Sequence, residues 1–226
     1  MLKTNKHDKI FNHNRPRFVS SLALAQKEKP CGVKDGLQEG TCKEFFSNGK
    51  LKSVANFKKG KREGICTEYF ENGQVKVSVN YTKDKRNGPC KYFHDNGQVD
   101  SEESYVYRDF AEVKEGVFRK FFPSGKQKEN YKYIDGKLDG DYIAYYENGN
   151  LKETRKTYIK DLIQGELKLY YETGKIKMEE QYKDDLRNGQ SISYHPNGAI
   201  NCTVLFINGK EGVKICKDDK GKIIGK

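Results

Sequence analysis

Side chains along most of this chain alternate with the two-residue period of a β-strand, and glycines interrupt the alternation at fixed places. One glycine opens each unit: Gly40, Gly64, Gly88, Gly116, Gly140, Gly165, Gly189 and Gly212. A second follows nine residues later every time: Gly49, Gly73, Gly97, Gly125, Gly149, Gly174, Gly198 and Gly221. Successive units begin 24, 24, 28, 24, 25, 24 and 23 residues apart, so length varies only in the returning strand or the connector. The repetition predicts eight β-hairpins in tandem. Asn usually precedes the second glycine, as in Asn48-Gly49 and Asn148-Gly149, which predicts a two-residue type I′ turn. Such a turn sets Phe46 opposite Leu51, Glu44 opposite Ser53, Cys42 opposite Ala55, and Gly40 opposite Phe57, whose ring would cover the bare glycine backbone. Val33 to Gly40 (VKDGLQEG) fits the connector frame of Phe57 to Gly64 (FKKGKREG) and adds a half-unit in front.

Alternation sorts the side chains onto two faces. The first carries Phe46, Phe70, His94, Phe122, Tyr146, Tyr171 and His195, the column from Leu51 to Ile223, and the column Phe57, Tyr81, Tyr105, Tyr133, Tyr182 and Phe206, with Tyr158 one position out of step. The second carries one aromatic column, Phe45, Tyr69, Phe93, Phe121, Tyr145, Tyr170 and Tyr194, flanked by Lys52, Lys76, Lys128, Lys152 and Lys177. The first face, richer in apolar positions, is expected to be packed; the second is the candidate partner surface. At the irregular 28-residue interval, Val106 to Lys114 brings Tyr107 and Phe110 with no place in the repeat. The hypothesis is that these residues leave the sheet as a loop that contributes to partner selection; a β-bulge or neutral insertion is the alternative.

Segments such as GDYIAYYENGNLKETRKTY (Gly140 to Tyr158) and GELKLYYETGKIKMEEQY (Gly165 to Tyr182) resemble the MORN-type repeat, specifically the variant of the bacterial YwqK-type antitoxin family. The resemblance covers residues 33 to 224. It implies an all-β, elongated tandem β-hairpin array forming a single twisted antiparallel sheet, without catalytic activity, in a family some of whose members are labelled antitoxins. The chain departs from the family pattern in having no Trp in its first strands, and Lys217 and Asp218 fill the aromatic slots of the last unit, as a polar terminal cap would.

Composition agrees with thin, turn-rich β structure: 35% hydrophobic and 33% charged residues, yet 15 Tyr, 12 Phe and 22 Gly. Residues 1–30 read as a basic, flexible tail, and residues 31–226 as the repeat domain of a half-unit plus eight hairpins. The net charge of +11 favours an acidic partner, although acids and bases are mixed along the array and most read as solvated surface. Cys42, Cys66 and Cys90 recur two residues after an opening glycine. Equivalent positions lie two strands apart, about 9.5 Å, too far for a disulfide or a shared metal. The six thiols are therefore expected to be free and the compartment cytoplasmic; the apolar run Phe18 to Ala25 keeps export, by way of a signal, as the alternative. His94 and His195 fall four units apart in the same slot, so they share no active site. No nucleotide-binding, metalloprotease or nucleophile-elbow motif is present. The reading is a non-enzymatic chain with no cofactor, no metal and no small-molecule substrate. Its expected partner is another protein, such as a toxin, bound by the second-face column with Tyr107 and Phe110. Peripheral attachment to anionic lipid is the alternative, and nucleic acid is disfavoured by the interleaved acids.

Overall fold

In the computed structural model, which describes residues 31–225, twenty-two strand segments form one antiparallel sheet with no helix. The tail expected over residues 1–30 lies outside the described residues. The chain meanders: each hairpin pairs internally, then with the hairpin after it, and Gly32–Lys34 with Leu37–Phe45 supplies the leading half-unit. The expected register holds, with Gly40 opposite Phe57, Cys42 opposite Ala55 and Glu44 opposite Ser53. An aromatic ring stands opposite each later opening glycine as far as Gly189, which pairs with Phe206. Tyr158 keeps its place too: a bulge between Gly140 and Tyr142 absorbs the extra residue, and Tyr158 is buried opposite Gly140.

The turns differ from the expectation. In each unit, as in Phe46 to Lys50, the second glycine donates its N–H to the residue three before it, and a further N–H···O bond closes the loop outside (Gly49 N to Phe46 O, 2.9 Å; Phe46 N to Lys50 O, 2.8 Å). Gly49 has φ +80°, whereas Asn48 has no positive φ. This is a three-residue loop, a type I turn closed by a left-handed glycine, rather than a two-residue type I′ turn. Asn occupies the slot for a different reason. Its Oδ1 accepts the N–H two residues on (Gln74 N to Asn72, 2.9 Å) while its Nδ2 donates to the next unit's turn (Asn72 to Asp95 O, 2.7 Å; Asn148 to Glu172 O, 2.9 Å). Where Ser124 or Thr173 replaces it, Lys126 and Lys175 reach the corresponding carbonyls, Glu147 O and Pro196 O. The type I′ turns lie at the opposite ends of the strands, in the connectors, where both central residues have positive φ, as in Lys59-Gly60 and Lys83-Asp84.

The extra turn residue shifts the last pairing step. Phe45, not Phe46, faces Leu51, and the same shift sets Tyr69 against Val75, Tyr145 against Leu151 and Tyr170 against Ile176. The Leu51-to-Ile200 column therefore belongs with the Phe45 column, correcting its assignment to the packed face. In five units the residue bulged out by the shift is a lysine, and in four of these its ammonium lies over a ring of the Phe46-type column: Lys76 over Phe70 at 6.0 Å, Lys128 over Phe122 at 5.6 Å, Lys152 over Tyr146 and Lys177 over Tyr171 at 5.9 Å. These lysines thus do not flank the second-face column as expected.

The core lies on the face of Cys42, Ala55 and Phe57, which we call inner. It centres on Cys66, Val77, Val79, Tyr81, Cys90, Tyr92, Tyr105 and Phe118. The Phe46-type column at its margin is only half-buried. Cations cover the inner rings: Arg62 over Tyr81 (4.0 Å), Arg86 over Tyr105 (3.9 Å), Lys114 over Tyr133 (4.7 Å) and Arg187 over Phe206 (5.0 Å). Burial pushes the Tyr81 hydroxyl up to about 12. Several acids expected at the solvated surface also point inward. Glu180, 2% exposed, accepts from Tyr182 Oη (2.8 Å) and Ser191 Oγ (3.2 Å) and pairs with Arg187 (2.9 Å). Glu68 has no such set, and burial raises its pKa above the ordinary carboxylate value. A raised carboxylate pKa means that the folded state resists ionising Glu68, so stability falls as pH rises through its folded-state value. Glu68→Gln should accordingly be more stable than the parent at pH 7 in urea melts, and the advantage should disappear near pH 3.5.

The expectation of six free thiols fails for four of them. Cys31 bonds Cys42, and Cys202 bonds Cys216; only Cys66 and Cys90 are free, and both are buried. Cys202 and Cys216 are direct cross-strand partners, with Cα atoms 4.1 Å apart. Strand neighbours, unlike equivalent positions in successive units, are within disulfide reach.

Candidate interaction surface

The outer face follows from the shifted pairing. Phe45, Tyr69, Phe93, Phe121, Tyr145, Tyr170 and Tyr194 form one continuous column on it, each beside an aliphatic residue except Phe121, which pairs with Gln127. Phe45 is 48% exposed and the other six rings are half-buried. Successive rings lie about 9.5 Å apart at ordinary strand spacing, so they make a stripe rather than a stack. Between them the charges are paired off. Glu102 bridges Lys91 (3.0 Å) and Arg119 (3.4 Å), and Lys168 bridges Glu166 (3.0 Å) and Glu179 (3.1 Å). Tyr194 Oη donates to Glu179 at 2.7 Å. The hydrogen bond from Lys91 to Glu102, and those from Tyr194 and Lys168 to Glu179, hold both carboxyls below the usual range, so both stay ionised at neutral pH.

The irregular junction is built differently from the expected loop. Its four extra residues stay in the sheet and lengthen a connector hairpin, with Tyr105 opposite Lys114, Val106 opposite Val113, Tyr107 opposite Glu112 and Arg108 opposite Ala111. An even insertion adds whole cross-strand pairs and leaves every later residue on its proper face, which is why the array continues undisturbed. The arm is tied down at its base. Arg86 Nε meets Glu112 at 3.0 Å, the Tyr107 N–H donates to Asn87 Oδ1 at 3.0 Å, and Arg108 meets Asp135 at 2.7 Å. Tyr107 is half-buried and shares the inner face with Tyr105 by strand parity, away from the outer column.

Phe110 is the tip. The corresponding turn position holds Gly36, Gly60, Asp84, Gly136, Asp161, Asp185 and Gly209 in the other connectors, residue types that tolerate positive φ. Here a phenylalanine adopts φ +62° and stands 86% exposed. The sequence reading placed Phe110 among the candidates but missed its strain, because it put no type I′ turn in the connectors. The aspartates and glycines at the other seven positions were the signal.

His94 and His195 serve neighbouring turns: His94 Nε2 lies 3.2 Å from Phe121 O and His195 Nε2 2.9 Å from Lys217 O. In the same slot Tyr146 and Tyr171 donate to Tyr170 O and Tyr194 O. A cleft of ≈ 290 Å³ on the fifth unit is lined by Tyr142, Tyr145, Tyr146, Lys152 and Glu153 among others, at the lower limit of typical small-ligand sites.

Residues 38–59, 62–83, 86–107, 138–160 and 163–184 match the family described as MORN repeat variant. The matched segments coincide with hairpin units one, two, three, five and six in the structure. No curated protein matches the chain.

Proposed function

We propose that this MORN-variant repeat array is a non-catalytic scaffold that binds another protein, with Phe110 as the leading contact and the outer aromatic column, toward the opposite ends of the strands, as a second surface. Phe110 carries the reading. A non-glycine residue held in the left-handed region costs about 1–2 kcal/mol, and exposing a large ring forgoes the gain of burying it. Among the described residues nothing repays either cost, whereas a partner with an apolar pocket repays both. The pre-tied arm also lowers the ordering cost of docking, as a rigid anchor should. A protein is favoured over a polyanion because Lys91 and Lys168, beside the outer column, are already matched by carboxylates. Within this reading, a toxin neutralised by the array is the finer possibility raised by the resemblance to antitoxin proteins.

Phe110→Gly separates binding from folding. It should raise stability by about 0.5–1 kcal/mol by relieving the left-handed strain, while weakening a reconstituted complex at least tenfold. An unchanged affinity would remove Phe110 from the interface. The second reading, attachment to anionic lipid, draws on the seven Lys/Arg against two acids in residues 1–30. Sedimentation with phosphatidylserine vesicles tests it: binding that survives deletion of those residues would exclude the tail as the anchor.

A further inference from the structure

We infer that this array is sealed at both ends by disulfides and is completed in an oxidising compartment outside the reducing cytoplasm. The argument starts from where the bonds lie. Cys31–Cys42 ties the leading half-unit to the first hairpin, and Cys202–Cys216 ties the two strands that join the last two units. Cys66 and Cys90, in the second and third units, are free, and Cys90 is 0% exposed. Bonded pairs thus stand at the two ends and buried thiols inside the array.

An array stabilised by nearest neighbours has two weak places, its ends, because each terminal unit has a neighbour on one side only. The last hairpin shows the weakness. It carries exposed Val213 (73%) and Ile224 (63%) and, among its described side chains, holds none that is buried. A cross-link there limits fraying where packing does least. Burial pushes the Cys90 thiol up to about 12, so it remains protonated and a poor participant in thiol exchange. Oxidation would therefore proceed at the ends without scrambling through the middle.

Each bond forms as two thiols lose two protons and pass two electrons to the disulfide of a thiol oxidoreductase, which is reduced to its dithiol. Such oxidants maintain disulfides in secreted and envelope compartments, and reducing thiol pools oppose them in the cytosol. The sequence ahead of the array agrees with export: the apolar run Phe18 to Ala25 follows a basic stretch and ends in Ala23-Leu24-Ala25, the small-residue pattern at which export signals are cut.

Peptide mapping of the full chain from the cells that make it, quenched in acid and alkylated without reduction, tests the inference. The expected result is linked Cys31–Cys42 and Cys202–Cys216 peptides, with Cys66 and Cys90 alkylated only after unfolding. Recovery of all six cysteines as thiols, or of other pairings, would overturn it. The C202S/C216S variant gives an independent reading. Hydrogen exchange should accelerate at least tenfold in residues 200–217 and stay unchanged around Cys90; equal exchange at both places would show that the bond does not hold the end.

Discussion

Phe118→Ala should cost about 3–5 kcal/mol of stability, the usual range for deleting a buried large aromatic. Phe118 is 2% exposed, and its ring meets Tyr105 edge-on at 5.8 Å, Tyr133 edge-on at 4.8 Å and Tyr131 stacked at 5.9 Å. These rings come from three strands on both sides of the irregular junction, so truncation opens a cavity where the third and fourth units meet. The neighbours cannot collapse into it, because Tyr105 is held by Glu103 and Arg86 and Tyr133 lies under Lys114. Urea melts of Phe118→Ala beside Tyr145→Ala measure the difference. The half-buried outer ring should cost less than half as much, and equal losses would mean that the core is not where we place it.

Arg86→Ala should be comparably damaging, about 3–5 kcal/mol, because it strips the partner from buried charge. Arg86 stacks on Tyr105 at 3.9 Å, meets Glu112 at 3.0 Å and Glu103 at 3.8 Å, and its side chain is 19% exposed. Removing it leaves two inward carboxylates facing an aromatic wall with no cation between them. The repeat itself indicates a rescue. The same slot holds Leu138 and Ile163 in other units, so an apolar residue fits the backbone there. Arg86→Leu combined with Glu112→Leu should recover much of the loss, whereas Arg86→Leu alone should not. A thermodynamic cycle over the two positions checks this, and additive losses would show that the charges are not coupled.

The sequence made some features of this fold readable and concealed others for identifiable reasons. The two-residue period, the constant glycine interval and the ring opposite each opening glycine fixed hairpin pairing as far as Glu44 and Ser53. They could not choose between two turns that both accept Asn-Gly. In four units the Asn amide ties the turn to the next hairpin, a contact invisible within one unit. Ser124-Gly125, Thr173-Gly174 and Lys220-Gly221 pointed the right way, since Ser, Thr and Lys suit a type I turn better than the left-handed position of a type I′ turn. That single misread turn moved the Leu51 column to the wrong face and the lysines beside the wrong rings. The inward glutamates were hidden because Glu180, with Lys177 and Lys183 three residues to either side, reads like any surface acid, and nothing in the neighbours of Glu68 marks it as buried. The disulfides were missed because equivalent cysteines were compared across units, while the bonded pairs lie on neighbouring strands.

Binding carries the functional account, and Phe110 is where it stands or falls. The decisive measurement takes the protein co-purified by cross-linking from the cells that make this chain, prepares it separately, and titrates it calorimetrically against the parent array and Phe110→Gly. We predict a complex with the parent, at least tenfold weaker binding by Phe110→Gly, and a melting temperature for that variant no lower than the parent's. Equal affinity for the two arrays would contradict the account and move the working surface elsewhere on the sheet.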